Sequence, residues 1–185
     1  LKSTEAVYTC SYQSGICSIY GQSVSVSDPF VIDRENRSSV TLIIISDSYM
    51  PQAPETIFTS YPETSLLSIS NTSLQQMSSN VFTNALKLTN LLIQYGNLTT
   101  INNRTFSNCV KLQSLQIVRQ QLTSIDVMAF QGLMELQNLY LNENQLTFLH
   151  PLVFSVLPKL TYFSIEDNLL TTIDSQQFVN NPKLY

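Results

Sequence analysis

Three carboxylates, Glu143, Glu166 and Asp167, stand one 24-residue step apart, with Glu166 beside Asp167. A close carboxylate group is the equipment of a glycoside hydrolase, in which one acid protonates the leaving oxygen and a second group acts as base or nucleophile. That chemistry needs an apolar pocket to raise one pKa. The surrounding residues place these carboxylates on an open, shallow surface instead. His150, the only histidine, sits beside Pro151 and reads as a surface residue. The sequence contains no Gly-rich phosphate loop, no metal-spaced Cys/His set and no Ser–His constellation. The expectation is therefore a non-enzyme with no cofactor and no metal, glycan processing being the most distant alternative.

The three cysteines divide into a pair and a singleton. Cys10 and Cys17 flank a Gln-Ser-Gly turn between two short β-like runs, residues 7–10 and 16–20. A hairpin there brings the sulfurs together, so a disulfide is expected. Cys109 falls where equivalent positions carry Leu133 and Leu157, so it is expected as a buried free thiol, with an intermolecular bridge as the alternative. Asn-x-Ser/Thr sequons occur at Asn36, Asn71, Asn97 and Asn103. Glycosylation sites together with a disulfide point to a secreted, extracellular chain. A net charge of −4 with 12% charged residues and no basic stretch argues against a nucleic-acid partner. The longest aliphatic run, residues 42–45, is too short to span a membrane. Leu1 is not followed by a signal-peptide pattern, as expected of a processed chain.

The elements that position these groups follow from periodicity. Residues 136–159 place apolar side chains at Leu136, Leu139, Leu141, Leu146, Leu149, Phe154 and Leu157. The first half alternates as a strand does, Asn144 turns the chain, and a sparser apolar set returns outside. A shift of 24 residues reproduces the pattern. The opening position recurs as Val40, Leu88, Leu112, Leu136, Leu160 and Leu184, with Thr64 breaking the series. The strand pair recurs from Ile43/Ile45 to Phe163/Ile165, and Phe58, Phe82, Phe106, Phe130, Phe154 and Phe178 share one register position. One unit cannot bury its own apolar face, so copies must stack.

This is a leucine-rich repeat, and it predicts an α/β leucine-rich repeat solenoid: a parallel β-sheet on the concave face, an irregular or short-helical convex face, and a disulfide-bonded β-hairpin as N-terminal cap. Residues 1–39 read as the capping module, since they lack the register and carry short β-rich runs at 24–26 and 30–32. The cap would cover the exposed edge of the first repeat strand. Residues 40–185 read as six 24-residue turns plus the start of a seventh. The turn position usually given to Asn holds Ser48, Thr72, Gly96, Gln120, Asn144 and Asn168, so the early turns are expected to be looser. With no polar cap after Tyr185, Ile165, Leu170, Ile173 and Phe178 would be exposed, and the expectation is a homodimer through the C-terminal turn or cover by downstream repeats.

Tyr8-Thr9-Cys10 followed by Cys17-Ser18-Ile19-Tyr20 resembles the Tyr-x-Cys…Cys-x-x-Tyr opening of secreted arthropod leucine-rich repeat proteins, most closely the mosquito leucine-rich repeat immune protein family, which acts with complement-like thioester proteins. The resemblance implies a protein-recognition module of insect innate immunity. The later cysteines and the coiled coil through which those proteins pair are not found in this sequence. An ectodomain fragment of a cell-surface receptor or adhesion protein is the alternative. A protein partner would meet the concave face, where the columns Gln116/Tyr140/Ser164 and Asn138/Tyr162 run beside the edge residues Asn142, Glu143, Glu166 and Asp167. Amphipathic rings beside one sign of charge suit protein recognition, so Tyr140, Asn142, Glu143, Tyr162, Glu166 and Asp167 are the expected contact residues.

Overall fold

Each repeat opens with a run in which alternate residues are branched or aliphatic, and each such run is a strand with one face buried. The computed structural model describes residues 10–21 and 37–184. Tyr8, the runs at 24–26 and 30–32, the Asn36 sequon and Tyr185 lie outside the described residues. The chain forms β1 (Ser11–Gln13), β2 (Ile16–Tyr20), β3 (Leu42–Ser46), β4 (Leu66–Ser70), β5 (Asn90–Gln94), β6 (Thr100–Ile101), β7 (Ser114–Val118), β8 (Ser124–Ile125), β9 (Asn138–Tyr140) and β10 (Tyr162–Ser164). A single short helix, α1 (Ile57–Ser60), and three 3-10 turns account for the described helical content.

Eight strands make one sheet in the order β1-β2-β3-β4-β5-β7-β9-β10. β1 and β2 pair antiparallel, and every later pair is parallel. The register places Ile43 against Leu67, Leu67 against Leu91 and Leu91 against Leu115 without a slip. The architecture is a parallel-sheet solenoid of about six turns, as the periodicity predicts. The hairpin β1–β2 lies against β3 and is closed by the Cys10–Cys17 disulfide, with 5.3 Å between the Cα atoms.

The core runs along the solenoid. Ile43, Ile45, Leu67, Ile69, Leu91, Leu115, Ile117, Leu139 and Leu141 are buried behind the sheet. On the return side Phe58, Phe82, Phe106, Phe130 and Phe154 are buried and touch in sequence, their ring centroids 6.0, 5.4, 6.3 and 6.2 Å apart. Phe178 continues the series 5.4 Å from Phe154 but is only partly buried. Thr64, the exception in the opening series, is buried like the leucines around it, and its hydroxyl has no hydrogen-bond partner among the described residues. Cys109 is a buried free thiol, and burial pushes its pKa far up.

The backbone bond that Asn supplies in the later turns has counterparts in only some of the earlier ones. Asn144 Oδ1 accepts from Leu122 N–H at 3.3 Å, and Asn168 Oδ1 accepts from Leu146 N–H at 3.0 Å. Gln120 fills this role one turn earlier, accepting from Leu98 N–H at 3.2 Å. Its longer side chain lies over Gly96, where an added Cβ would come within 2.7 Å of Gln120 Oε1. Glycine and glutamine in adjacent turns are thus one device. In the second repeat Ser73 Oγ accepts from Met50 N–H of the first at 2.8 Å.

The last turn departs from the core pattern. Gln177 and Asn181 take the places of Val153 and Leu157, and their amide nitrogens donate to the carbonyls of Leu149, Phe154 and Leu157 at 2.8–3.0 Å. Ile165 and Leu170 are partly buried there, while Leu169, Ile173 and Val179 are 60%, 48% and 68% exposed.

Candidate functional site

Alternation along β3, β4 and β5 leaves one row of side chains behind the sheet and one row half exposed on its solvent face. At the strand end the chain turns through left-handed backbone in six successive turns: Asp47, Asn71, Tyr95, Arg119, Glu143 and Asp167 all have φ between 50 and 55°. The repetition has a local cause. The N–H of each of the first five donates to a carbonyl of the next turn, as in Asn71 to Gln94 at 3.0 Å and Glu143 to Glu166 at 2.9 Å. Asn and Asp tolerate this conformation well, whereas Tyr, Arg and Glu meet the usual steric cost of about 1–2 kcal/mol. The edge column is therefore set by the fold, and the side chains on it are free to differ.

Those side chains interact down the column. Asn71 Nδ2 donates to Asp47 Oδ1. Arg119 donates through Nε to Glu143 Oε2 at 2.6 Å and through Nη1 to the Tyr95 hydroxyl, with its guanidinium carbon 4.9 Å from the Tyr95 ring centroid. Hydrogen bonding and attraction to Glu143 hold the Arg119 pKa above its ordinary value. The Tyr95–Arg119 contact lies outside the expected acidic set, and its signal in the sequence is two residues one repeat apart in one column.

The expected contact residues divide in the structure. Tyr140 and Tyr162 meet on the sheet face, with ring centroids 5.0 Å apart and planes inclined by 38°. Asn142 Nδ2 donates to the buried Ser164 Oγ at 2.6 Å, so this side chain braces two turns. Glu166 and Asp167 are exposed at the edge, while Glu143 is drawn toward Arg119. Asp167 borders a shallow cleft of about 260 Å³ with Ile165, Leu170 and Ile173, and neither Glu143 nor Glu166 lines it. His150 is half-buried on the return side, its Nδ1 accepting from Leu152 N–H at 3.1 Å. Among the described residues no group of three or more His, Cys, Asp or Glu is placed to hold a metal ion, and no helix is long and apolar enough to cross a membrane. Asn71, Asn97 and Asn103 are exposed.

Comparison with known proteins places this geometry. Residues 37–185 match the BspA type leucine rich repeat region in six copies. The solved TLR13–ssRNA13 complex contains a similar chain, with a TM-score of 0.75 and 23% identity over 83% of this chain and 22% of that one. Toll in the Drosophila Toll–Spatzle complex is similar with a TM-score of 0.69 and 24% identity over 75% of this chain and 20% of that one. The LRIM1/APL1C complex gives a TM-score of 0.64 and 22% identity over 87% of this chain and 35% of that one. The chain thus spans about a fifth to a third of the length of these similar proteins. No curated protein matches it.

Proposed function

The chain belongs to the BspA type leucine-rich repeat family, and from that premise we propose that it is a secreted module that recognises a protein partner in innate immunity, in a complement-like pathway. Residues 1–39 form its capping module and residues 40–185 its repeats. The observation that carries the reading is the Tyr140–Tyr162 pair, 5.0 Å apart on the sheet face, with Glu166 and Asp167 exposed later in the same turn as Tyr162. Two rigid amphipathic rings, one of them in a turn whose exposed Glu166 and Asp167 form no ion pair among the described residues, offer apolar area and charge complementarity to a partner presenting lysine or arginine. Asn142 and Glu143 flank this centre. The Cys10–Cys17 disulfide supports an extracellular setting, as do the sequons at Asn36, Asn71, Asn97 and Asn103, which we take as glycan carriers. Two of the similar structures are protein complexes, Toll with Spatzle and LRIM1 with APL1C.

A nucleic-acid ligand, as in the TLR13–ssRNA13 complex, is disfavoured here. Arg119 is the one basic residue along the solvent rows and edge column of the repeat strands, and Glu143 already pairs with it. A receptor or adhesion ectodomain is the second reading, favoured by the likeness to Toll. Self-association through the last turn is a further part of the proposal, supported by the exposure of Leu169, Ile173 and Val179. Capture from extracellular fluid with the wild-type chain and Tyr162→Ala side by side tests the reading. A protein retained by the wild type and lost with the variant supports it, and equal retention by both overturns the site.

A further inference from the structure

Beyond the edge column, the flank of the solenoid is lined with uncharged amides. A shallow groove of about 400 Å³ opens there between Gln75, Gln76, Asn97, Thr99 and Gln121. Its walls come from three successive turns, and the backbone beneath is tied by bonds between turns, Gln75 N–H to Pro51 O at 2.9 Å and Gln121 N–H to Leu98 O at 3.1 Å. Asn97 is exposed at this groove and opens the sequon Asn97-Leu98-Thr99. Its Oδ1 accepts from Gln121 Nε2 at 3.0 Å, which fixes the amide plane and leaves Nδ2 without a hydrogen bond among the described residues. Asn71 differs, because its Nδ2 already donates to Asp47.

We propose that this groove seats the first sugar of an N-linked glycan carried by Asn97. The inference rests on the reading of the chain as a secreted glycoprotein, and it assigns the groove a ligand class, an N-acetylhexosamine. Attachment requires a lipid diphosphate-linked oligosaccharide as co-reactant. Asn97 Nδ2 loses one proton to a base and bonds to the sugar C1, while the C1–O bond to the diphosphate breaks and the lipid diphosphate leaves. The remaining Nδ2 proton and the Oδ1 bond to Gln121 survive this step. Primary amides both donate and accept, as sugar hydroxyls do, so Gln75, Gln76 and Gln121 match a hydroxylated ring without any net charge. The seated sugar bridges three turns on the flank and leaves the Tyr140–Tyr162 face open, consistent with a recognition surface elsewhere.

The test uses the full chain made in a eukaryotic secretory host. Glycopeptide mass spectrometry reads occupancy at Asn97, and the rate at which an amidase releases the glycan from native protein reads its seating. The expected result is occupancy at Asn97 with release slower than at Asn103. A Gln75→Ala/Gln121→Ala variant should speed release at Asn97 by about tenfold, the scale of one lost hydrogen bond, with Asn103 unchanged. Gln121→Glu, which keeps the side-chain length but loses the Nε2 donor to Asn97 Oδ1, should also speed release at Asn97. Release rates equalised by denaturation would assign the difference to the fold. An occupied Asn97 whose native release rate matches Asn103 and ignores the variants overturns the groove alone. An unoccupied Asn97 overturns its glycan as well, and neither result touches the tyrosine site.

Discussion

Two columns run the length of this solenoid and obey opposite rules. The return side puts phenylalanine at one register position from Phe58 to Phe178, and the rings touch from turn to turn. The edge column keeps one backbone conformation from Asp47 to Asp167 but carries acid, amide, aromatic and base in succession. Identical side chains are needed where each turn must complete the core of its neighbour. Identical backbone is enough where the side chain meets water. A repeat protein thus separates what it must keep from what it can vary, and the varied column is where specificity can be written.

That contrast can be broken from either side, and the largest effect should come from the core. Phe130→Ala removes a fully buried ring stacked between Phe106 and Phe154 and should cost about 3–5 kcal/mol in urea unfolding. A loss below about 1 kcal/mol would show that the aromatic series is not a core. Next comes the hairpin: Cys10→Ser with Cys17→Ser should cost roughly 2–3 kcal/mol on a chain-entropy estimate. In the unsubstituted chain without reductant, a thiol reagent should find no reactive cysteine natively and one after denaturation, because Cys109 is buried with its pKa pushed far up. A fast native reaction would contradict that burial. Gln120→Ala leaves the Leu98 N–H without its acceptor and should cost about 1–3 kcal/mol, with hydrogen exchange of that amide accelerated. An unchanged exchange rate would mean that the glutamine only decorates the turn.

The fold was legible because the 24-residue shift aligns strand pairs and phenylalanines without a slip. The disulfide pair was legible from the expected hairpin between Cys10 and Cys17, although its first strand is Ser11–Gln13 and not the run expected at 7–10, of which 7–9 lie outside the described residues. The bracing of the early turns was not. The consensus has Asn at one position, while the structure uses the length of Gln120 over a side-chain-free Gly96 and, in the second repeat, a serine shifted by one residue. The polar pair in the last turn was equally hidden, because Gln177 and Asn181 break the apolar pattern and become intelligible only once their amides are seen to reach carbonyls of the preceding turn. At the candidate site, column membership placed Tyr140 beside Tyr162. It did not reveal that Glu143 turns to Arg119, since which way an exposed charge leans depends on neighbours one repeat away.

The central claim is that the tyrosine face recognises a partner without holding the fold together. One measurement addresses it most directly: Tyr140→Ala/Tyr162→Ala and Phe130→Ala compared in parallel for urea unfolding and for retention of the captured protein. The double tyrosine variant should unfold within about 1 kcal/mol of the wild type, as surface substitutions do, yet lose binding by at least about tenfold, the scale of a hot-spot residue. A tyrosine variant that binds as tightly as the wild type, or that unfolds as easily as Phe130→Ala, would contradict the account.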